Sequence, residues 1–360
     1  MLEATRRELN ELYVFFHLLG HGVIAMGDAE GKAGASIPVA YVQRQEHDGV
    51  RRYVIGPEEI SVEGDKVRMS LPREDFRAAS EWLLERHRES QGQTEIDITD
   101  IEGFLDALQI FDMEAQTDDR TDLHLGLYTM DGPVVGVRIQ SLMCGYMPLL
   151  SGGRQANIKF EQSGIKLSQP AVSKINYTEQ PENVAEVARR MLYIESIGGV
   201  LKFADVADRV FKSNLLMIDT NLPRIIGTML RTLHLDGINR VKDLVADLSE
   251  RNPLKVKDEL VRKHGFYEHK VRQLLLAAAW GMRPAKQWNG RQSAVNGYIM
   301  VDAQGRMVLY SRMDEQTFSD FLFAHTRLDR TLPEEDKYGY LERENGVYYL
   351  KLNLRISLTK

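Results

Sequence analysis

The residues best placed to do chemistry flank a short alternating stretch near the middle of the chain. Asp122 precedes Leu123, Leu125 and Leu127, which alternate with His124, Gly126 and Tyr128. A period of two is the signature of a strand with one buried face. Beyond a turn expected at Asp131–Gly132, Val135, Val137 and Ile139 share one face and Gly136, Arg138 and Gln140 the other. The predicted hairpin thus sets one carboxylate beside a guanidinium and an amide. A carboxylate is an oxygen ligand for a hard cation such as Mg²⁺. An amide orients water without supplying charge, and a guanidinium fork suits a phosphate. An Asp at a strand start is equally a turn cap, and His124 equally a surface or core histidine.

The opening helix is expected over 6–19 with Leu9, Leu12, Tyr13, Phe16 and Leu19 on its apolar stripe. Glu8 and Glu11, three apart, project from adjacent positions. A helix glutamate is normally a solvated charge.

The elements that must hold these groups alternate in type. Extended pieces are expected near 22–26, 38–45 and 52–55, helices over 71–87 and 100–111, and a strand near 156–161. From Pro181 helical periodicity runs for about 100 residues, with helices at 205–216, 222–234, 241–248 and 266–280. Alternation returns at 297–302, 306–311, 338–342 and 347–356, around a helix at 315–325. Three regions follow: an α/β core over 1–175, a helical region over 176–290 and a β-rich region over 291–360.

Composition is that of a folded soluble chain: 43% hydrophobic and 27% charged over 360 residues. A single cysteine, Cys144, excludes an intrachain disulfide and a multi-cysteine zinc site, and fits a reducing compartment. The first residues lack the basic-then-apolar order of a signal peptide, and no run approaches the roughly 20 apolar residues of a membrane helix. A cytoplasmic location is the expectation. Net charge is −6, unevenly spread. Residues 95–122 carry ten acids against Arg120, a net −9. Residues 251–291 carry ten bases against three acids, a net +7, and residues 138–174 a net +4. Such local basic surface is what phosphate contacts require, although solvated helix faces give the same count. Arg154 after Gly152–Gly153, Lys159 on the next strand, and Arg283 and Lys286 beside Trp280 and Trp288 are the candidates for it. Trp280, on an apolar helical run, also reads as core.

The hairpin resembles the catalytic core of the PD-(D/E)xK nucleases. Taken with other segments, the chain resembles the HpaII-type family of type II restriction endonucleases. The segments are Glu8–Leu9–Asn10–Glu11–Leu12–Tyr13–Val14, Asp122–Leu123–His124, the strand from Gly136 to Ser141, and Pro148–Leu149–Leu150. Asn214–Leu215–Leu216–Met217–Ile218–Asp219 with Leu222–Pro223, Gly281 to Trp288, and Lys351 to Ile356 complete them, in order along nearly the whole chain. The resemblance implies a restriction-endonuclease-like mixed sheet with a helical insertion. It also implies Mg²⁺-dependent cutting of a short GC-rich duplex site such as CCGG, with a partner methyltransferase protecting the host. On this likeness Asp122 ligates Mg²⁺ and Glu11 completes the metal site. Gln140 stands where the family has its catalytic lysine, and Arg138 where the wider nuclease group has its second acid. Lys159 is a candidate replacement cation. A homodimer would match the symmetry of a palindromic site. A homologue that binds DNA without cutting it, and an interaction protein on the same fold, are the alternatives.

Overall fold

The computed structural model describes residues 2–115, 117, 119–177, 185–291 and 293–359. They form two compact units, one of Met1–Tyr146 with Gln292–Phe321, the other of Met147–Arg291 with Leu322–Lys360. The stretch expected as a C-terminal region is therefore divided between them.

In the first unit, helix α1 (Arg6–His21) starts at a capping box. The Thr5 hydroxyl accepts from the Glu8 N–H at 3.2 Å, and the Glu8 carboxylate accepts from the Thr5 N–H at 2.7 Å. It ends at Gly22, whose φ of 64° lets its N–H close back on Leu18 O, two residues later than the apolar stripe predicts. The helix buries Leu9, Leu12, Phe16 and Leu19 as expected, and Phe16 meets Phe76 of helix α2 (Arg73–Glu89) edge-on at 5.9 Å.

Beneath these helices lies a nine-stranded mixed sheet. Its centre is built from β1 (Ala33–Glu46), β2 (Leu123–Leu127), β3 (Val134–Ser141) and β4 (Val295–Val301). β2 runs antiparallel to both β1 and β3, and β3 runs parallel to β4. Met307–Ser311 continues from β4 to Val23–Gly27, which also pairs with the first half of β1, so six strands close on themselves. From β1 the sheet also extends outward through Gly49–Ile55, Glu59–Glu63 and Arg68–Pro72. The last two form a hairpin that the sequence reading lacked.

The expected catalytic hairpin is present as β2 and β3, with Leu123 opposite Val137 and His124 opposite Gly136. Its turn is longer than a two-residue reading suggests: residues 128–133 connect the strands, with Tyr128 at φ 67°. Leu123, Leu125, Leu127, Val135 and Val137 are buried beneath α1, and Ile139 packs partly buried against the same core.

The second unit holds an antiparallel sheet ordered Val200–Val206, Asn157–Ser163, Val347–Asn353, Leu341–Glu344. Val200–Val206 interrupts what periodicity alone reads as continuous helix, because Gly198 and Gly199 end the helix before it. That helix is described over Ala185–Ser196; its expected start at Pro181 lies outside the described residues. Helices Arg209–Ile218, Leu222–Leu235, Val241–Arg251 and Phe266–Ala279 follow. The expected 205–216 helix begins later because the strand runs through Val206 and Asp208 caps the helix, accepting from Val210 and Phe211 N–H. The expected last strand splits, so that Ile356–Leu358 pairs with Thr326–Leu328 instead. Trp280 is buried core. No helix among the described residues is long and apolar enough to cross a membrane.

Candidate active site

Asp122 enters the site through the strand ladder. Its N–H donates to Val137 O at 2.8 Å, which sets it across from Arg138. Its carboxylate Oδ2 then accepts from the Ile139 N–H at 2.6 Å, fixing the side chain over the edge of β3. Arg138 lies half-buried two positions before Gln140, which is almost wholly buried at 1% exposure. The expected grouping of an acid, a guanidinium and an amide on one hairpin face is thus realised by register.

Glu11 reaches the same neighbourhood from α1. It is 4% exposed, and its Oε1 accepts from the Ala115 N–H at 2.5 Å. Arg44 Nη2 stands 3.8 Å from the same oxygen. Arg44 is itself fully buried: it donates to Glu46 at 2.7 Å and to the carbonyls of Asp112 and Met113 at 2.8 and 2.7 Å. Tyr53 donates to the other oxygen of Glu46 at 2.9 Å. One buried arginine therefore ties β1 to the segment over 112–115 while it balances Glu11. Arg7, one helical turn before Glu11, pairs with Glu114 at 3.1 Å.

Burial drives the electrostatics. It pushes the Glu11 carboxyl up to about 8, against the opposing pull of Arg44 and with added repulsion from Asp122 and Glu114. Asp122 is likewise raised by burial, with the Ile139 N–H, Arg138 and Arg7 pulling the other way. Two carboxyls that each resist ionisation and repel one another are a pair that a divalent cation would relieve. Asp122 Oδ1 and Glu11 Oε2 have no hydrogen-bond partner among the described residues, so each retains an oxygen for such a cation. No cluster of three or more His, Cys, Asp and Glu side chains forms a fuller cage among those residues. The donor set matches Mg²⁺, which completes its shell with waters and phosphate.

Beside Asp122 opens a cavity of about 380 Å³ whose lining includes Gln43, Gln45, Thr117, Asp119 and His124. His124 Nε2 lies 3.7 Å from Asp119. Arg44, Arg7, Glu114 and Asp119 were not singled out from the sequence. Arg44 left a trace there, as a charge on the alternating face that buries Val42.

The four candidate DNA contacts all belong to the second unit. Arg154 and Lys286 are exposed. Lys159 is half-buried, paired with Glu344 and set over the Tyr349 ring. Arg283 and Lys286 form a bridge whose two carbonyls both accept from the Asn214 side-chain amide at 2.8 Å. Asn214 Oδ1 accepts from the Trp288 N–H at 2.9 Å. Two of the segments that carry the family resemblance are thus stitched together by one asparagine.

Comparison with known proteins gives matches over nearly the whole chain. The family model described as HpaII restriction endonuclease matches residues 5–358. The type II restriction enzyme HpaII of Haemophilus parainfluenzae is 28% identical over 359 residues, which cover 98% of each chain. No solved structure matches the chain. With a match from α1 through both units to the last strand, the chain belongs to the HpaII restriction endonuclease family.

Proposed function

We propose that this protein is a type II, site-specific DNA endonuclease that uses Mg²⁺ to hydrolyse phosphodiester bonds in a short GC-rich duplex site, CCGG or a variant. It would act in the cytoplasm in restriction–modification defence, as a homodimer on a palindromic site, beside a methyltransferase that marks the same sequence. The observation that carries the reading is that Glu11, buried on a helix, and Asp122, half-buried just before a strand far away in sequence, come close enough for their carboxylates to repel.

Asp122 and Glu11 would hold the metal, which when bound supplies a Lewis acid for the phosphodiester. The rest of the work belongs to the chain. The Ile139 N–H fixes the Asp122 carboxylate, and Arg44 with the Ala115 N–H fixes Glu11. Arg138 offers a planar fork to the scissile phosphate. Gln140 orients water through its amide but brings no charge to it. Arg154, Lys159, Arg283 and Lys286 in the second unit are the proposed DNA contacts.

The test is incubation of the purified protein with unmethylated phage-type DNA and Mg²⁺, beside an EDTA control and CCGG-methylated DNA. Discrete fragments that need Mg²⁺, end within the site and vanish on methylation are the expected result. Unchanged DNA with a salt-sensitive mobility shift selects the second reading, a binding homologue without cleavage. That reading is favoured by one observation: Gln140, which the family resemblance puts in place of a lysine, is buried and uncharged.

A further inference from the structure

In the second unit, Asn214 commits its side-chain amide to a single turn. It sits on helix Arg209–Ile218 at 1% exposure. Its Nδ2 donates to the carbonyls of Arg283 and Lys286, each at 2.8 Å, and its Oδ1 accepts from the Trp288 N–H at 2.9 Å. Both donor hydrogens of the amide are thereby used. Arg283 and Lys286 bridge each other across Pro284–Ala285, with the proline at the corner that suits its fixed φ. The turn is anchored before as well as after. Met282 is wholly buried, and its N–H returns to Ala277 O at 2.8 Å.

A second loop packs against the same turn. A Cβ on Gly152 would stand 2.6 Å from both Cβ and Cγ of Pro284, so a glycine is needed for the two backbones to approach this closely. Arg154 lies two residues beyond Gly152, and Lys286 two beyond Pro284. Arg154 belongs to the short turn Gly153–Ala156, which is itself tied down: Gly153 O accepts from the Asn353 amide at 2.7 Å. Arg154 and Lys286 are both exposed, and neither makes an ion pair among the described residues. Asp336 Oδ1 adjoins the glycine loop, 3.4 Å from where a Cβ on Gly153 would lie. Orientation, and not a count of charges, therefore decides whether the two cations meet a phosphate.

We propose that the Arg154 and Lys286 loops form one platform for the phosphate backbone of duplex DNA, and that Asn214 is the positioning residue that holds it. This rests on the DNA-cutting reading above and extends it: the two cations contact DNA as a unit, not as independent surface charges. Cations carried on loops fixed in advance leave less to be ordered on binding, which favours contact over solvation. Asn214, being buried, touches no DNA and acts through the turn.

The experiment measures the affinity of the full-length protein for an unmethylated CCGG duplex in EDTA as a function of salt. Log affinity of the wild type should fall linearly with log salt. Asn214→Ala should reduce that slope by about 1 to 2, one for each cation displaced, and weaken binding at low salt. A double-mutant cycle separates positioning from a general loss of structure. In a background of Arg154→Ala with Lys286→Ala, adding Asn214→Ala should cause no further loss of affinity. Should Asn214→Ala fail to fold, Gly152→Ala, which drives Pro284 away from the glycine loop, takes its place with the same expectations. The wild-type slope in a folded variant, or an equal loss in both backgrounds, overturns the platform. Wild-type protein without salt-sensitive binding instead overturns the DNA reading itself, and the platform with it.

Discussion

Asp122 does two jobs that a substitution can separate. Its backbone closes the β2–β3 ladder at Val137, and its carboxylate receives the Ile139 N–H. Asp122→Ala keeps the first and removes the second, so DNA binding should survive while cleavage falls. The fall should exceed the roughly 10–100-fold that losing a mere outer-shell partner of a metal site costs. Undiminished cutting by the variant would take Asp122 out of the mechanism. Gln140 poses the opposite question. At 1% exposure, a lysine introduced there must lie near the acids or bury an unpaired cation, which is costly. Gln140→Lys is therefore expected to keep or raise the cleavage rate at saturating Mg²⁺. A clear loss of rate in a folded variant would mean that the amide has a role of its own.

The elements that hold the site were legible to different degrees, for physical reasons. α1 announces itself through a stripe at 3.6-residue spacing, and β2 and β3 through alternation, so Asp122, Arg138 and Gln140 could be placed on one face from sequence. The hairpin of Glu59–Glu63 and Arg68–Pro72 was missed because its outer face is charged, which reads as loop and is how an edge protects itself. Arg44 and the Ala115 N–H were missed because they meet Glu11 only through tertiary folding, which no local period encodes. The close fit of β1 on β2 gives a test at this scale. A Cβ on Gly126 would stand 2.2 Å from the Tyr41 ring, which is buried and has the Arg52 guanidinium 3.7 Å from its centre. Gly126→Ala should therefore destabilise the protein by about 1–3 kcal/mol, as overpacking does. Denaturant midpoints measure this, and an unshifted midpoint would mean that Tyr41 moves aside freely.

Over the whole molecule, an acidic total coexists with a basic stretch that local pairing partly cancels. Within residues 251–291, Arg251 pairs with Asp236 and Asp247, Lys263 with Glu259, Lys270 with Asp219 and Arg272 with Glu268. Lys286 is exposed, and if it meets phosphate, Lys286→Ala should reduce the slope of log affinity against log salt by about 1. An unchanged slope would remove it from the interface. Stability should depend on pH through His234, which is 3% exposed and whose Nδ1 has no partner. Burial, reinforced by Arg330, lowers its pKa from 6.5 to about 4. The unfolded chain thus takes up a proton near pH 6.5 that the folded protein refuses until about pH 4. Stability should be flat in this term above pH 6.5 and fall as pH drops through that window, by roughly 3 kcal/mol in all. Urea midpoints at pH 7.5 and 5.0 for the wild type and His234→Gln isolate the term from other groups. The variant should lose less stability on acidification than the wild type, and equal losses would place the proton uptake elsewhere.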